Sequence, residues 1–247
     1  MLYFVFATVM LSPVALSAQN PETARHWDYS NENGPKHWSE LDPSNSACSL
    51  GHTESPIDVA GAMPAKLTPL VFDYHPGASQ VVDNGHTVQV LVGPGNYLIA
   101  DGDKYQLIQF HFHHPSEDAI EGKHFDMELH MVHKDADGNL ALVAILLSDG
   151  KANPLVQMGW DNVPTEKEKV KTLTTPLDPK EILPATEGYY SFAGSLTTPP
   201  CTEGVRWFVM QSPLDISVHQ EQSFAALYPN NSRPIQPRNG RTVEASR

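Results

Sequence analysis

The chain has 247 residues, and its 29 acidic against 16 basic side chains give a formal net charge of −13. Such a surface excludes an ordinary nucleic-acid binder, because phosphate binding needs positive charge. Beyond residues 1–18 no apolar run is long enough to span a bilayer and nothing reads as a linker, so one soluble domain is expected over residues 19–247.

In chain order, MLYFVFATVMLSPVALSA (residues 1–18) carries no charge and ends in small residues, the pattern of a secretory signal peptide cleaved near Ser17 or Ala18. Its basic leader is missing, but Pro13 and the short apolar run disfavour a membrane anchor. An exported chain meets an oxidising compartment, so the two cysteines, Cys48 and Cys201, are expected to form a disulfide. Closing that loop would stabilise the fold by about 5 kcal/mol on the chain-entropy model.

His26-Trp27-Asp28-Tyr29 and Gly34-Pro35-Lys36-His37-Trp38 form an aromatic, turn-rich lead-in that should pack irregularly over one end of the domain. From Ser55 onward short apolar runs alternate with Pro, Gly and Asn, at residues 70–74, 80–83, 86–92, 96–100, 105–113, 125–133 and 140–148. This spacing predicts a β-rich domain. Asp137-Gly138 marks a hairpin connection between the last two runs. Residues 153–184 are polar and proline-rich and look peripheral. The best short helix there is 166–170, and 217–226 is a second. Residues 194–201 form a loop stiffened by Pro199 and Pro200, after which 205–211 resume as a strand.

Chemistry concentrates in residues 105–133. Successive side chains of a strand point to opposite faces, so His111 and His113 share one face, with Ile108, Phe110 and Phe112 on the other. Their backbones would stand roughly 6–7 Å apart, close enough to converge on one small ion. In the next strand Glu128, His130 and Val132 alternate with Met127, Leu129 and Met131, and pairing the two strands would bring in His130 as a third imidazole. Three neutral imidazoles without a thiolate suit zinc, one ion per chain, and leave a fourth position for water, whose pKa the ion lowers to about 7. Gln109 and Glu128 precede His111 and His130 by two residues on the same faces, where they can accept hydrogen bonds from the ligands' other ring nitrogens. His114 and His133 fall off that face and read as surface or hydrogen-bonded residues.

Gln109-Phe110-His111-Phe112-His113, Pro115-Ser116-Glu117, Glu128-Leu129-His130 and Gly194-Ser195-Leu196-Thr197-Thr198-Pro199-Pro200 together resemble the signature of the α-class carbonic anhydrases in their exported bacterial form. The match extends through residues 34–38, 55–58, 84–86 and 233–237. The resemblance implies a β-rich α+β fold, a single domain on a large twisted, mainly antiparallel central sheet with short peripheral helices, periplasmic or secreted. It implies reversible hydration of carbon dioxide to bicarbonate and a proton by attack of zinc-bound hydroxide, with His111, His113 and His130 as the ligands. It also implies that Thr197 accepts a hydrogen bond from the hydroxide and donates to Glu117, a direction fixed by a carboxylate that can only accept. Val132, Leu142, Leu196, Val205 and Trp207 match the family's apolar pocket for substrate, with Thr198 beside them; the register of Leu142 is open by one residue. His86 matches the proton shuttle, a task suited to the pKa of histidine, and Tyr29, Asn84 and Gln89 would line its water path. Cis bonds at Ser55-Pro56 and Pro199-Pro200 belong to the same expectation.

Three positions depart from the family pattern. Glu54 stands where relatives usually carry Gln, and a buried carboxylate there requires a partner or a raised pKa. Asp118 and Phe192 replace a His and a Tyr that touch each other in the family. A zinc hydrolase with esterase activity stays open as an alternative, since metal hydroxide attacks carbonyls generally. A non-catalytic carbonic-anhydrase-like binding protein would be marked by a lost zinc histidine, and none is lost. Carbon dioxide and bicarbonate are the expected partners, with no nucleic acid, no membrane in the mature form, and a homodimer left open.

Overall fold

The computed structural model describes residues 26–186 and 188–247, so the signal-peptide reading of residues 1–18 lies outside the described residues. The strands are β1 Met63–Ala65, β2 Val71–Asp73, β3 Ser79–Asp83, β4 Val88–Val92, β5 Tyr97–Ala100, β6 Asp103–His113, β7 Met127–Lys134, β8 Leu140–Asp149, β9 Val170–Thr172, β10 Tyr189–Ser195, β11 Glu203–Met210, β12 Leu214–Ile216 and β13 Glu244–Ser246. They join one 13-stranded sheet in the order β1-β13-β10-β11-β8-β7-β6-β4-β3-β9, with β12 beside β8, β5 beside β6 and β2 beyond β5. Pairs β1·β13, β8·β11 and β8·β12 run parallel. The central run from β8 through β7, β6, β4 and β3 is antiparallel, which makes the sheet mixed but mainly antiparallel.

Among the described residues four short α-helices lie around it: α1 Trp38–Leu41, α2 Ala47–Leu50, α3 Pro154–Asp161 and α4 Val218–Ala225. The Asn153 side chain accepts from the Leu155 and Val156 N–H groups, with Pro154 opening α3. A Ser217–Gln220 capping box starts α4. Among the described residues no helix is long and apolar enough to cross a membrane.

Both faces of the sheet centre are buried. Phe110, Phe112, Leu129, Met131, Val143, Ile145 and Phe208 belong to one core, while Ile57, Leu142, Ala144, Leu146, Val205, Trp207 and Val209 belong to the other. Successive residues of β8 therefore feed two apolar layers, which is why that stretch reads as a continuous apolar run.

Two local expectations are corrected. Ile108 does not share a buried face with Phe110 and Phe112. Pairing of β6 with β7 slips between Leu107 and Gln109, so Leu107 is buried with them and Ile108 is 36% exposed. A bulge adds one residue and inverts the alternation, and this one sits just before the histidine pair. Residues 166–170 are not a helix either: they turn, with Glu168 at φ 63°, into β9 against β3. Five residues cannot offset the cost of helix nucleation, and β-branched Val170 finds a sheet edge instead. Strand β10 and helix α3 were not anticipated, and α3 is not remote from the chemistry, since Trp160 packs edge-on against Phe112 at 4.6 Å behind the histidine strand.

Candidate active site

Strand register builds the site as two neighbouring rows. In the first, His111 lies directly opposite His130, Gln89 of β4 faces His111 and Ala144 of β8 faces His130. In the second, Gln109, Val132, Leu142, Trp207 and Phe192 follow one another across β6, β7, β8, β11 and β10. Directly paired residues share a face. The rows thus put two of the three imidazoles beside an apolar wall and fix Leu142 on the Val132 side. Val205 is buried in that core, and Leu196 packs against it. The His130 ring meets the Trp207 indole edge-on, 5.1 Å between centroids.

His111, His113 and His130 each aim one ring nitrogen inward, and their ligand atoms lie within 4.8 Å of one another. The outward nitrogens all meet acceptors. His111 Nδ1 donates to Gln109 Oε1 at 2.9 Å, His113 Nδ1 to the Asn231 carbonyl at 2.8 Å, and His130 Nε2 to Glu128 Oε1 at 3.0 Å. An acceptor on the outer nitrogen puts the proton there and leaves a lone pair on the inner one. Burial pushes all three imidazoles down, helped for His111 and His130 by neighbouring rings, so they stay neutral. His113 Nε2 and His130 Nδ1 are buried without any hydrogen-bond partner. Two orphaned nitrogens facing a third are costly unless a cation takes them, so this donor set fits a divalent metal with imidazole preference. Asp118, Glu128 and His130 also gather ligand atoms within 4.8 Å. There, however, Glu128 Oε2 is already held by the Glu117 and Asp118 N–H groups at 2.7 and 2.8 Å.

Glu117 is fully buried beside these nitrogens, its Oε2 3.5 Å from His113 Nε2 and 3.8 Å from His130 Nδ1. Its Oε1 accepts the Arg233 main-chain N–H at 2.8 Å. Burial pushes this carboxyl up, while the Arg233 N–H and the adjacent Thr197 hydroxyl pull it down. A dication between the imidazoles would favour the ionised form. Asn231 was not singled out from sequence. Its contribution is a main-chain carbonyl at the end of an irregular segment, which leaves no residue-type signature.

A cavity of about 120 Å³ opens onto the site, and Trp27, Tyr29, Asn84, His86, Gln89, Gln109, His111, His113 and Thr198 line it. The Asn84 side-chain Oδ1 accepts from the His86 and Thr87 N–H groups at 3.0 and 2.9 Å, shaping the turn that carries His86. His133 lies on the other face, fully buried against Tyr74, and His114 bonds the Pro229 carbonyl and Glu221.

The model of the family described as eukaryotic-type carbonic anhydrase matches residues 33–247. The chain belongs to that family. A carbonic anhydrase of Pectobacterium carotovorum is 42% identical over 236 residues, covering 95% of this chain and 96% of that one. A carbonic anhydrase of Nostoc sp. is 39% identical over 244 residues, covering 96% and 90%. The α-carbonic anhydrase of Thermovibrio ammonificans, solved with the inhibitor sulfanilamide, superposes with a TM-score of 0.86 at 42% identity, covering 89% of this chain and 98% of that one. Reversible hydration of carbon dioxide is the reaction of the family, and the chain is an enzyme of it.

In this carbonic anhydrase the departures find partners. Glu54 Oε2 meets Arg233 Nη1 at 2.6 Å; burial pushes its carboxyl up and the guanidinium pulls it down. Asp118 Oδ1 accepts the Ile57 N–H at 2.8 Å, and burial together with the Glu128 charge pushes Asp118 well up. Phe192 stacks on Trp207, centroids 5.6 Å apart and planes 14° apart. Cys48 and Cys201 are bonded, and the Ser55-Pro56 and Pro199-Pro200 bonds are cis, as is His114-Pro115.

Proposed function

We propose that this carbonic anhydrase works with one zinc ion held by His111 Nε2, His113 Nε2 and His130 Nδ1. The observation that carries the reading is the convergence of three inward nitrogens whose outward partners are all engaged by acceptors. Zinc bound there would supply an activated water at neutral pH, by lowering its pKa to about 7. Thr197 donates its proton to Glu117, so its oxygen can only accept from the attacking water and orients it. Val132, Leu142, Leu196, Val205 and Trp207 offer an uncharged substrate a dry surface, with Thr198 at its edge. His86 carries the released proton outward past Tyr29, Asn84 and Gln89. The chain acts outside the cytoplasm, periplasmic or secreted, after loss of residues 1–18, a reading that the Cys48–Cys201 bond supports.

Stopped-flow hydration of carbon dioxide, before and after chelation and again after zinc is restored, tests the reading together with a count of zinc per chain. Full activity with no metal bound would sink it. Terminal sequencing of the mature protein checks the processing site.

A further inference from the structure

Glu117 is held by a main-chain group, the Arg233 N–H, in a segment that is neither strand nor helix. The Asn231 end of that segment is anchored by its own side chain, which bonds the His86 and Phe112 carbonyls and the His114 N–H. The Arg233 end is anchored by its guanidinium. Nη1 donates to Glu54 Oε2 at 2.6 Å and to the Ser55 carbonyl at 2.7 Å, and Nη2 donates to the Cys48 carbonyl at 2.9 Å. The same Glu54 oxygen accepts from Ser195 Oγ at 3.4 Å. Ser195, two residues before Thr197, exchanges hydrogen bonds of 2.9 and 3.2 Å with Ser55. One carboxylate therefore touches the anchors of both Glu117 and Thr197.

The Arg233 and Glu54 side chains are only 1% and 5% exposed. Desolvation largely cancels the attraction in a buried pair, so the pair is a weak source of stability. A guanidinium fork holding several acceptors at once does fix geometry. We propose that Glu54 is a positioning residue: through Arg233 it holds the N–H that sets Glu117, and thereby the direction of the Thr197 hydroxyl. The proposal rests on the hydration reading and extends it to a residue outside the cavity.

Two variants separate reach from charge. Glu54→Asp keeps the charge and shortens the reach; Glu54→Gln keeps the reach and an acceptor oxygen without the charge. The Asp variant should lose about tenfold or more in kcat/KM for carbon dioxide, as a misplaced orienting group does, with zinc affinity unchanged because His113 is anchored through Asn231. The Gln variant should stay near the parent. Calorimetric binding of two probes reads the hydroxyl directly. Thiocyanate has no proton to offer Thr197 and sulfanilamide has one, so freeing the hydroxyl should tilt binding toward thiocyanate by about fivefold, the worth of one hydrogen bond. The reverse order, with Gln impaired and Asp near the parent, would mean a mere counter-charge and overturns the proposal. If the Asp variant does not fold, Glu54→Leu with Arg233→Leu replaces it, since no unpaired charge is left buried; parent values there overturn the proposal too. A zinc-loaded parent without hydration activity defeats the hydration reading instead, and the binding ratio still decides on Glu54.

Discussion

The His86 imidazole lies flat on the Trp27 indole, with ring centroids 3.6 Å apart and planes 6° apart, and the His26 ring follows at 5.0 Å. Burial, with smaller contributions from His26 and Lys167, pushes His86 down to about 4. A proton carrier works best with a pKa near the working pH, so if His86 carries the proton as proposed, a ring held down by burial accepts it weakly and the Trp27 that covers it is expected to slow turnover. Trp27→Ala should raise the His86 pKa toward about 6.5 and raise kcat several-fold in dilute buffer. An NMR titration of the ring and stopped-flow turnover check this. Parent His86 titrating near its ordinary value would refute this.

His86→Ala is expected to lower kcat in dilute buffer while leaving kcat/KM unchanged, because proton export follows the hydration step. Added imidazole should restore turnover. Equal turnover in parent and variant would take the shuttle role from His86.

The supports behind the histidines should differ in weight. Gln109→Leu removes one acceptor from His111, whereas Glu128→Gln leaves a single acceptor oxygen where two are used, so its NH2 must face either the His130 Nε2–H or the Glu117 and Asp118 N–H donors. Loss of such outer support costs about ten- to a hundredfold in metal affinity. Glu128→Gln should sit at the weak end, with a lower melting temperature as well, and Gln109→Leu at the mild end. Chelator competition measures both; the opposite ranking would contradict the geometry.

Much of this convergence was legible because it is local. His111, His113 and His130 alternate with apolar residues at the strand period, and Gln109 and Glu128 stand two residues away on the same faces, so register alone brings them together. What was not legible is non-local or backbone-borne. Asn231 serves His113 with a carbonyl 118 residues on, which any residue type could supply, and Arg233 serves Glu117 with an N–H, which any residue but proline could supply. The bulge before Gln109 carries no residue signature in Leu107-Ile108, since both are apolar and only the slipped register tells them apart. Helix α3 did carry one, Asn153-Pro154 as a cap and first turn, but the prolines around it read as loop.

Away from the cavity, the Tyr74 hydroxyl and His133 Nε2 share a 2.6 Å hydrogen bond, and both residues are fully buried. Burial pushes His133 down to about 3, against about 6.5 in an unfolded chain. The unfolded state then binds the extra proton, so stability is lost as pH falls from about 6.5 toward 3. Between pH 7 and 4.5 the loss should be roughly 2–3 kcal/mol. Tyr74→Phe with His133→Leu removes both polar groups, and its urea midpoint should fall less than the parent's over that range. Parallel pH losses in the two proteins would refute the assignment.

The Cys48–Cys201 bond joins α2 to the turn after Pro199-Pro200, across a separation of 153 residues. The Cys201 N–H donates to the Thr198 carbonyl at 2.8 Å, and the Cys48 carbonyl accepts from Arg233. The bond therefore ties the Thr197–Thr198 loop to the Glu54–Arg233 pair as well as closing a long loop. Cys48→Ser with Cys201→Ser should lose about 2–5 kcal/mol in a denaturant melt, mostly through a less restricted unfolded chain. An effect confined to the unfolded state would leave the folded enzyme's kcat/KM at the parent value. Loosening of the loop would instead lower kcat/KM several-fold at 25 °C, where the variant is still folded, and that is the expected outcome. Unchanged kcat/KM would mean that the Leu196–Thr202 bond at 2.9 Å and the Trp207–Ser195 bond at 2.9 Å hold Thr197 without help.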